Sequence, residues 1–93
     1  MLKIEKTTRF KKDFKMILKR GRCDLTVFKD VVSELQQQHP LQSKYHDHPL
    51  AGQWKGFREC HLQPDWILIY TSDDHILVLT LVRTGTHADL FGK

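Results

Sequence analysis

Two runs in the second half of the chain are apolar at every position, and they limit the possible folds more than any other feature. They are Trp66–Tyr70 and Ile76–Leu79. Successive side chains of a strand point to opposite faces, so a strand that is apolar throughout must be covered on both sides. The sequence therefore predicts central strands of a covered sheet in a chain of only 93 residues.

Polar turns divide this half of the chain into three strands that follow one another closely. The predicted strands are Gly56–Leu62, Trp66–Tyr70 and Ile76–Arg83, and the predicted turns are Gln63-Pro64-Asp65 and Ser72-Asp73-Asp74. Proline, aspartate and serine favour tight turns, so the three strands form an antiparallel meander. A further short strand is predicted at Met1–Glu5.

Two amphipathic helices are predicted between the first strand and the meander. The first follows an N-cap at Thr7 or Thr8, stops near Gly21, and has an apolar stripe of Phe10, Phe14, Ile17 and Leu18. The second starts at Asp24, ends at His39-Pro40, and has a stripe of Phe28, Val31, Val32 and Leu35. Neither helix is stable alone, so we expect a helical hairpin packed on the sheet.

The elements follow the order β-α-α-β-β-β, with a short C-terminal helix opened by a capping box at Thr86–Asp89. We predict one α+β domain spanning residues 1–93, in which the hairpin covers a small, mainly antiparallel twisted sheet. No apolar run has the length of about 20 residues that a membrane span needs. Lysines and an arginine interrupt every N-terminal apolar stretch, so we expect a cytoplasmic protein.

Charge is distributed unevenly along the chain. Residues 1–23 contain nine basic and two acidic residues, whereas residues 24–93 contain six basic and nine acidic residues. A basic segment on a mildly acidic body indicates a polyanion or an acidic protein as partner. The alternative is an ordinary solvated helix face.

Candidate site residues gather where the predicted strands end. The long loop 41–55 carries His46, Asp47, His48 and Trp54, and we expect Trp54 to fold back onto the body. His61, Asp65, Arg83 and His87 lie at strand ends that a meander can bring to one edge. Each candidate also has an ordinary structural interpretation, because buried polar groups usually find partners within the protein. Arg83, for example, can pair with Glu59 or Asp65, and Trp66, beside Asp65, is of a residue type that often lies in a core. The spacing of histidines and cysteines does not favour a metal site, and we predict no cofactor.

This set of groups suits cleavage of RNA by its own 2′-hydroxyl group. Two imidazoles can serve as base and acid near neutral pH, and arginine can clamp a phosphate. Trp66 and Phe91 can stack on unpaired bases.

Four ordered blocks of sequence resemble the YafQ-type toxins of the RelE/ParE superfamily. They are D-H-P-L at 47–50, G-Q-W-K-G-F-R-E-C-H at 52–61, P-D-W-I-L-I-Y at 64–70 and R-T-G-T-H-A-D-L-F at 83–91. The resemblance continues more loosely over the N-terminal elements, and the family has the element order predicted above.

The resemblance implies a toxin of a type II toxin–antitoxin system that cuts mRNA in the A site of the 70S ribosome. It also implies a cognate antitoxin with a ribbon-helix-helix N-terminal domain, and operator DNA bound only through the toxin–antitoxin complex. No membrane partner is expected. Residues 20–46 depart most from the family, so the identity of the antitoxin stays open.

The family's active-site positions fall on residues of the expected types in this chain. The catalytic positions are His48, His61, Asp65 and His87, and the substrate-binding positions are Trp66, Arg83 and Phe91. We interpret His87 as the general acid and either His48 or Asp65 as the base, with the phosphate held by His61 and Arg83. The basic first helix, through Lys11, Lys12 and Lys15, is expected to lie on ribosomal RNA.

Four other functions compete with this interpretation. A ParE-like toxin shares the fold but inhibits DNA gyrase and cuts nothing, and such toxins lack the histidine and aspartate set. The same fold can also act as a ribosome-independent RNase or as a metal-dependent nuclease. A plain binding module is the last alternative, and growth arrest would then survive substitution of His48 and His87.

Overall fold

The sheet is built around the strand whose residues are apolar on both faces. The computed structural model describes residues 1–92, so the last residue of the predicted domain, Lys93, lies outside the described part. In chain order the helices and strands are β1 (Lys3–Lys6), α1 (Thr8–Lys19), α2 (Leu25–Gln36), β2 (His48–Pro49), β3 (Arg58–Gln63), β4 (Trp66–Asp73), β5 (Val78–Gly85) and α3 (His87–Phe91). The spatial order of the strands is β1-β5-β4-β3-β2, which places β4 at the centre.

Strand pairing is antiparallel except at one edge. β1 runs parallel to β5, whereas the pairs β2–β3, β3–β4 and β4–β5 are antiparallel. The predicted α+β class and the mainly antiparallel sheet are therefore confirmed. The two-residue strand β2 lies inside the loop 41–55 and was not predicted, because a pairing of this length leaves no periodicity in the sequence.

Helix starts follow the predicted capping residues. The Thr7 hydroxyl accepts a hydrogen bond from the Phe10 amide, and the Asp24 carboxylate accepts one from the Thr26 amide. The second helix ends at Gln36, earlier than predicted, because Gln38 adopts a left-handed conformation with φ of 61°. The chain therefore leaves the helix before His39-Pro40 is reached.

The turn between β4 and β5 lies further along the chain than predicted, because β4 continues to Asp73 and β5 begins at Val78. Asp73 accepts hydrogen bonds from the amides of His75 and Ile76, and Ile76 and Leu77 are 68% and 52% exposed. These two apolar residues therefore lie in the turn and not in a covered strand. The prediction that the third strand of the meander begins at Ile76 is wrong by two residues.

Both faces of the sheet are covered, as the apolar runs predicted. On one face, Leu68 and Tyr70 of β4 pack with side chains of α1 and α2, among them Phe10, Ile17 and Val31. On the other face, Ile67 and Ile69 pack with a smaller cluster that includes Leu50, Trp54, Phe57, Leu90 and Phe91. Trp54 thus folds back onto the body, as expected. This second face carries the candidate active site.

Candidate active site

Four histidine rings lie side by side at the end of the sheet where β3 turns into β4. The ring centroid of His61 is 5.6 Å from that of His46, 6.2 Å from that of His48 and 5.5 Å from that of His87. Three of these rings belong to residues that the sequence placed at a site. They come from β2, β3 and α3, so only the folded sheet brings them together.

A buried carboxylate lies between two of the rings and was missed as a site residue by sequence reasoning. Glu59 Oε2 is 2.9 Å from Nε2 of His48 and 3.5 Å from Nε2 of His61, and the Glu59 side chain is 8% exposed. Strand alternation places residues 59 and 61 on the same face, and this was the available signal. A buried carboxylate needs partners of this kind, because burial of an unpaired charge is costly.

His48 is held between two acceptors. Its Nδ1 lies 2.6 Å from the backbone oxygen of His46, and its Nε2 faces Glu59. Because a carbonyl oxygen and a carboxylate only accept hydrogen bonds, a ring protonated on both nitrogens satisfies both contacts. In this geometry both ring nitrogens of His48 face acceptors.

The strand that carries His48 is anchored to the sheet through its neighbour. The hydroxyl of Tyr70 donates a hydrogen bond to Asp47, and Arg58 donates two more to the same carboxylate, at 3.4 and 3.2 Å. Burial, and then the hydrogen bond to Asp47, raise the pKa of Tyr70 well above its ordinary value. The phenol therefore stays protonated and keeps donating across the working pH range.

Asp65 orients the ring of His87. Its Oδ1 accepts hydrogen bonds from Nδ1 of His87 at 3.0 Å and from the His87 backbone amide at 3.1 Å. The hydrogen bond from the ring, followed by that from the amide, lowers the pKa of Asp65. The carboxylate thus assigns a proton to Nδ1 and leaves Nε2 as the ring atom available to a substrate.

Helix α3 begins with the predicted capping box. The Thr86 hydroxyl accepts from the Asp89 amide, and the Asp89 carboxylate accepts from the Thr86 amide. Arg20 donates to the same carboxylate at 2.6 and 3.0 Å, which connects the end of α1 to the helix that carries His87. The hydrogen bond from Arg20 is the largest cause of the strongly lowered pKa of Asp89.

This lowered pKa predicts how the stability of the fold depends on pH. A carboxyl with a depressed pKa in the folded state stabilises the fold above its unfolded pKa of about 4, and this contribution is lost as pH falls further. Asp89→Asn should therefore lower the urea midpoint at pH 7, and the difference from wild type should shrink at pH 3. Parallel urea titrations at both pH values measure it, and an equal difference at the two values would contradict the prediction.

Trp66 is the first site prediction that the structure corrects. Its ring is 3% exposed, stacks on Phe28 with centroids 6.0 Å apart, and donates from Nε1 to the Thr84 hydroxyl at 2.8 Å. A ring in this position cannot stack face-on with a base. The strand position 66 faces the helices, and the apolar cover they provide takes up the indole.

Trp66→Phe tests this correction. The variant keeps an aromatic ring in the core but removes the indole N–H that pairs with Thr84. We expect the free energy of unfolding to fall by about 1–3 kcal/mol, the cost of a buried acceptor left without its donor. Urea unfolding measures the change, and RNA affinity measured in parallel should stay within about twofold of wild type. A large loss of RNA affinity at unchanged stability would instead show that Trp66 contacts the substrate.

Arg83 is the second correction. A β-bulge shifts the register between β4 and β5, so Tyr70 lies opposite Leu81 and Ile69 lies opposite Arg83. The extra residue turns Arg83 away from the face of Leu81, and its guanidinium donates two hydrogen bonds to Asp13 of α1, at 2.9 and 3.1 Å. The side chain is 15% exposed. Arg83 is therefore an internal ion pair and not a free phosphate ligand.

Phe91 and the basic helix lie where the sequence placed them. Phe91 is half-buried, with its ring centroid 6.5 Å from that of Trp54 and 6.4 Å from that of His87, so it borders the site. Lys11, Lys12 and Lys15 are exposed on α1. Within residues 1–92 no group of three or more histidine, cysteine, aspartate or glutamate side chains is arranged to hold a metal ion. No helix in the same range has the length and apolarity needed to cross a membrane.

The helix-covered sheet of this chain matches a family of bacterial toxins from type II toxin–antitoxin systems. The chain belongs to the YafQ family, because the model for "Bacterial toxin of type II toxin-antitoxin system, YafQ" matches residues 2–92. The resemblance in the sequence is thereby confirmed at the level of the family.

Relatives and solved structures agree with this assignment over nearly the whole chain. The mRNA interferase toxin YafQ of Escherichia coli strain K12 is 46% identical over 90 residues, which cover 96% of this chain and 95% of the relative. YafQ in the E. coli DinJ–YafQ complex superposes with a TM-score of 0.86 at 44% identity, covering 99% and 100% of the two chains. A metal-bound toxin from Helicobacter pylori gives a TM-score of 0.90 at 47% identity, covering 98% and 100%.

Proposed function

We propose that this toxin is a metal-independent endoribonuclease that cuts mRNA in the A site of a translating ribosome. One arrangement of side chains carries the proposal. The ring of His87, which is paired with Asp65, has its centroid 5.5 Å from that of His61. The carboxylate of Glu59 in turn faces both His61 and His48. An acid, cationic groups and a carboxylate are thus within reach of one phosphate. The E. coli relative named as an mRNA interferase supports the same chemistry.

The chemistry divides among these groups as follows. The carboxylate of Glu59 takes the proton of the 2′-hydroxyl, and the 2′-oxygen forms a bond to phosphorus. His48 and His61 stabilise the charge that develops on the phosphate oxygens. In this step His87 acts as an imidazolium with protons on both ring nitrogens; it gives the Nε2 proton to the 5′-oxygen as the bond from phosphorus to that oxygen breaks, and it keeps the Nδ1 proton toward Asp65. The products are a 2′,3′-cyclic phosphate on one fragment and a 5′-hydroxyl on the other.

This division differs from the sequence-based interpretation in one respect. That interpretation left His48 or Asp65 as the base, whereas the present proposal gives this role to Glu59; both ring nitrogens of His48 face acceptors, and Asp65 accepts from His87. Glu59 is the carboxylate that faces both His48 and His61, which is why we propose it as the base. Phe91, at the border of the site, is positioned to stack on a base of the message.

Mapping of RNA ends tests the proposed function. Expression of the toxin should create new 5′ ends within translated messages, and these ends should accept a ligated adaptor only after a kinase adds a phosphate. The same ends should form in purified translation mixtures that contain ribosomes with a vacant A site. They should still form at the lowest magnesium concentration that keeps the ribosomes intact. If concentrated toxin also cuts free RNA without ribosomes, that activity should survive EDTA, and its loss would indicate a metal-dependent nuclease. Breaks in DNA with intact messages would instead indicate a gyrase toxin.

We further propose a cognate antitoxin as the cellular partner of this chain. The E. coli relative was crystallised with the antitoxin DinJ, which supports a partner of that class. The expected antitoxin has a ribbon-helix-helix N-terminal domain, and the complex binds operator DNA through that domain and represses its own operon. The toxin acts in the cytoplasm, where its ribosomal substrate is found.

The exposed lysines of α1 are proposed to contact ribosomal RNA. Replacing Lys11, Lys12 and Lys15 with glutamine should weaken ribosome binding and lower the slope of log Kd against log salt by about two to three, because each lost phosphate contact removes counterion release. Sedimentation of toxin with ribosomes at several salt concentrations measures the slope. The matched control replaces three exposed lysines outside α1, which are Lys3, Lys29 and Lys55. Equal slopes for the two triple variants would indicate that the lysines of α1 form an ordinary solvated helix face and do not contact ribosomal RNA.

A further inference from the structure

A cleft beside the histidine row has no role in the chemistry described above. Its volume is about 590 Å³, and it lies between the end of α1, the segment that joins α1 to α2, and the β3–β4 turn. Cavities of about 300–1,000 Å³ commonly hold small ligands or parts of larger ones. Its lining includes Ile17, Arg20, Arg22, Cys23, Asp65 and Trp66.

The cleft has an apolar floor and a polar rim. Ile17 and Trp66 at the floor are 5% and 3% exposed, whereas both arginines and Asp65 at the rim are exposed. The floor side chains are almost fully covered by their neighbours, so the surface that the cleft offers to a ligand is mainly its polar rim.

The charges at the rim are only partly compensated. Arg20 is paired with Asp89, and the Asp65 carboxylate is turned toward His87. Among residues 1–92 no carboxylate lies within ion-pair distance of Arg22. The cleft therefore presents one free guanidinium, a group that binds phosphate with two parallel hydrogen bonds.

We propose that this cleft binds the mRNA nucleotide that follows the cut, with the 3′-phosphate of that nucleotide on Arg22. The proposal rests on the proposed function. Asp65 lines the cleft and is also paired with His87, so the cleft adjoins the residue proposed as the general acid, His87. The 5′-oxygen that His87 protonates belongs to the nucleotide after the cut. The sugar and the next phosphate of that nucleotide continue from His87, and the proposal places them in the adjoining cleft, where Arg22 is the free cation.

The test combines substitution of Arg22 with removal of the phosphate from the message, in the manner of a double-mutant cycle. Two messages are placed in the A site of stalled ribosomes. One continues past the nucleotide after the cut, and the other ends at the 3′-hydroxyl of that nucleotide and so lacks the phosphate. Single-turnover cleavage is measured with wild type and Arg22→Gln, and with Lys19→Gln, which changes an exposed basic residue of α1 outside the cleft, as the matched control.

Wild type and Lys19→Gln should cut the longer message about tenfold or more faster than the shorter one, the effect of one charge-assisted contact. Arg22→Gln should cut both messages at the slow rate. Equal loss on both messages, or no loss on either, would overturn the assignment of Arg22 to that phosphate. If wild type leaves the longer message whole, the proposed function itself fails, and this is visible before any variant is compared.

Cys23 provides a second readout on the same cleft. It is half-buried on the cleft wall, whereas Cys60 is fully buried, so a thiol reagent should modify Cys23 selectively in the folded protein. A ribosome-bound message with a 2′-O-methyl group at the cut cannot react and should slow alkylation of Cys23 several-fold, read by mass spectrometry of its peptide. Protection by the antitoxin and none by the message would make the cleft a protein interface and overturn the proposal.

Discussion

Replacement of His87 by alanine is expected to slow cleavage of translated mRNA by about a hundredfold to ten thousandfold. The variant removes the group proposed to protonate the departing 5′-oxygen, and proton transfer by a positioned side chain contributes acceleration of this size. Asp65 would keep its carboxylate but lose the ring that it orients at 3.0 Å. Single-turnover formation of new 5′ ends on stalled ribosomes measures the rate.

The matched control for this variant is His75→Ala. His75 is an exposed histidine in the β4–β5 turn, far along the chain from the proposed site residues, and no role in the site is assigned to it. It should leave cleavage within about twofold of wild type. A loss smaller than about a hundredfold for His87→Ala, at an unchanged urea midpoint, would contradict the role of His87 as acid.

Glu59→Gln is expected to reduce the cleavage rate by about a hundredfold while ribosome binding is maintained. The amide has nearly the shape of the carboxylate but cannot take up the 2′-hydroxyl proton, and it no longer offsets the charge of His48 and His61. The effect should therefore appear in kcat and not in the affinity for the ribosome. A single-turnover assay at saturating ribosome concentration separates the two quantities.

Glu34→Gln is the matched control for Glu59→Gln. Glu34 also faces a histidine, with its Oε2 2.6 Å from Nδ1 of His39, but this pair is exposed on α2. The control should cleave at the wild-type rate. If Glu59→Gln loses less than about tenfold, the base is not Glu59, and His48 or Asp65 becomes the group to test next.

Local sequence signals predicted the helices, their N-terminal caps and the longer strands. The caps at Thr7 and Asp24 and the capping box at Thr86–Asp89 all form as predicted, because each depends on residues within one helical turn. The apolar runs of the central strands predicted a sheet covered on both faces. Alternation along β3 placed His61 on the site face, and the order of strands brought it to His87.

The errors concern features that depend on more distant partners. A bulge between β4 and β5 decided the direction of Arg83, and a carboxylate 70 residues away, on Asp13, accepted its guanidinium. A single inserted residue moves every following side chain to the opposite face, and no sequence signal near Arg83 indicates that the bulge is there. Glu59 was placed on the correct face but was not assigned a role, because its two histidine partners come together only in the fold.

The sequence by itself determined the fold class, the positions of the helix caps and the residue types at the site, because propensity, periodicity and capping act over a few residues. Tertiary structure decided which of these residues work together. It placed a buried carboxylate beneath two histidines, moved Trp66 into the core and paired Arg83 with α1. It also opened the cleft beside Asp65. These outcomes follow from strand register and from the packing of helices on the sheet, and both depend on contacts between residues far apart in the chain.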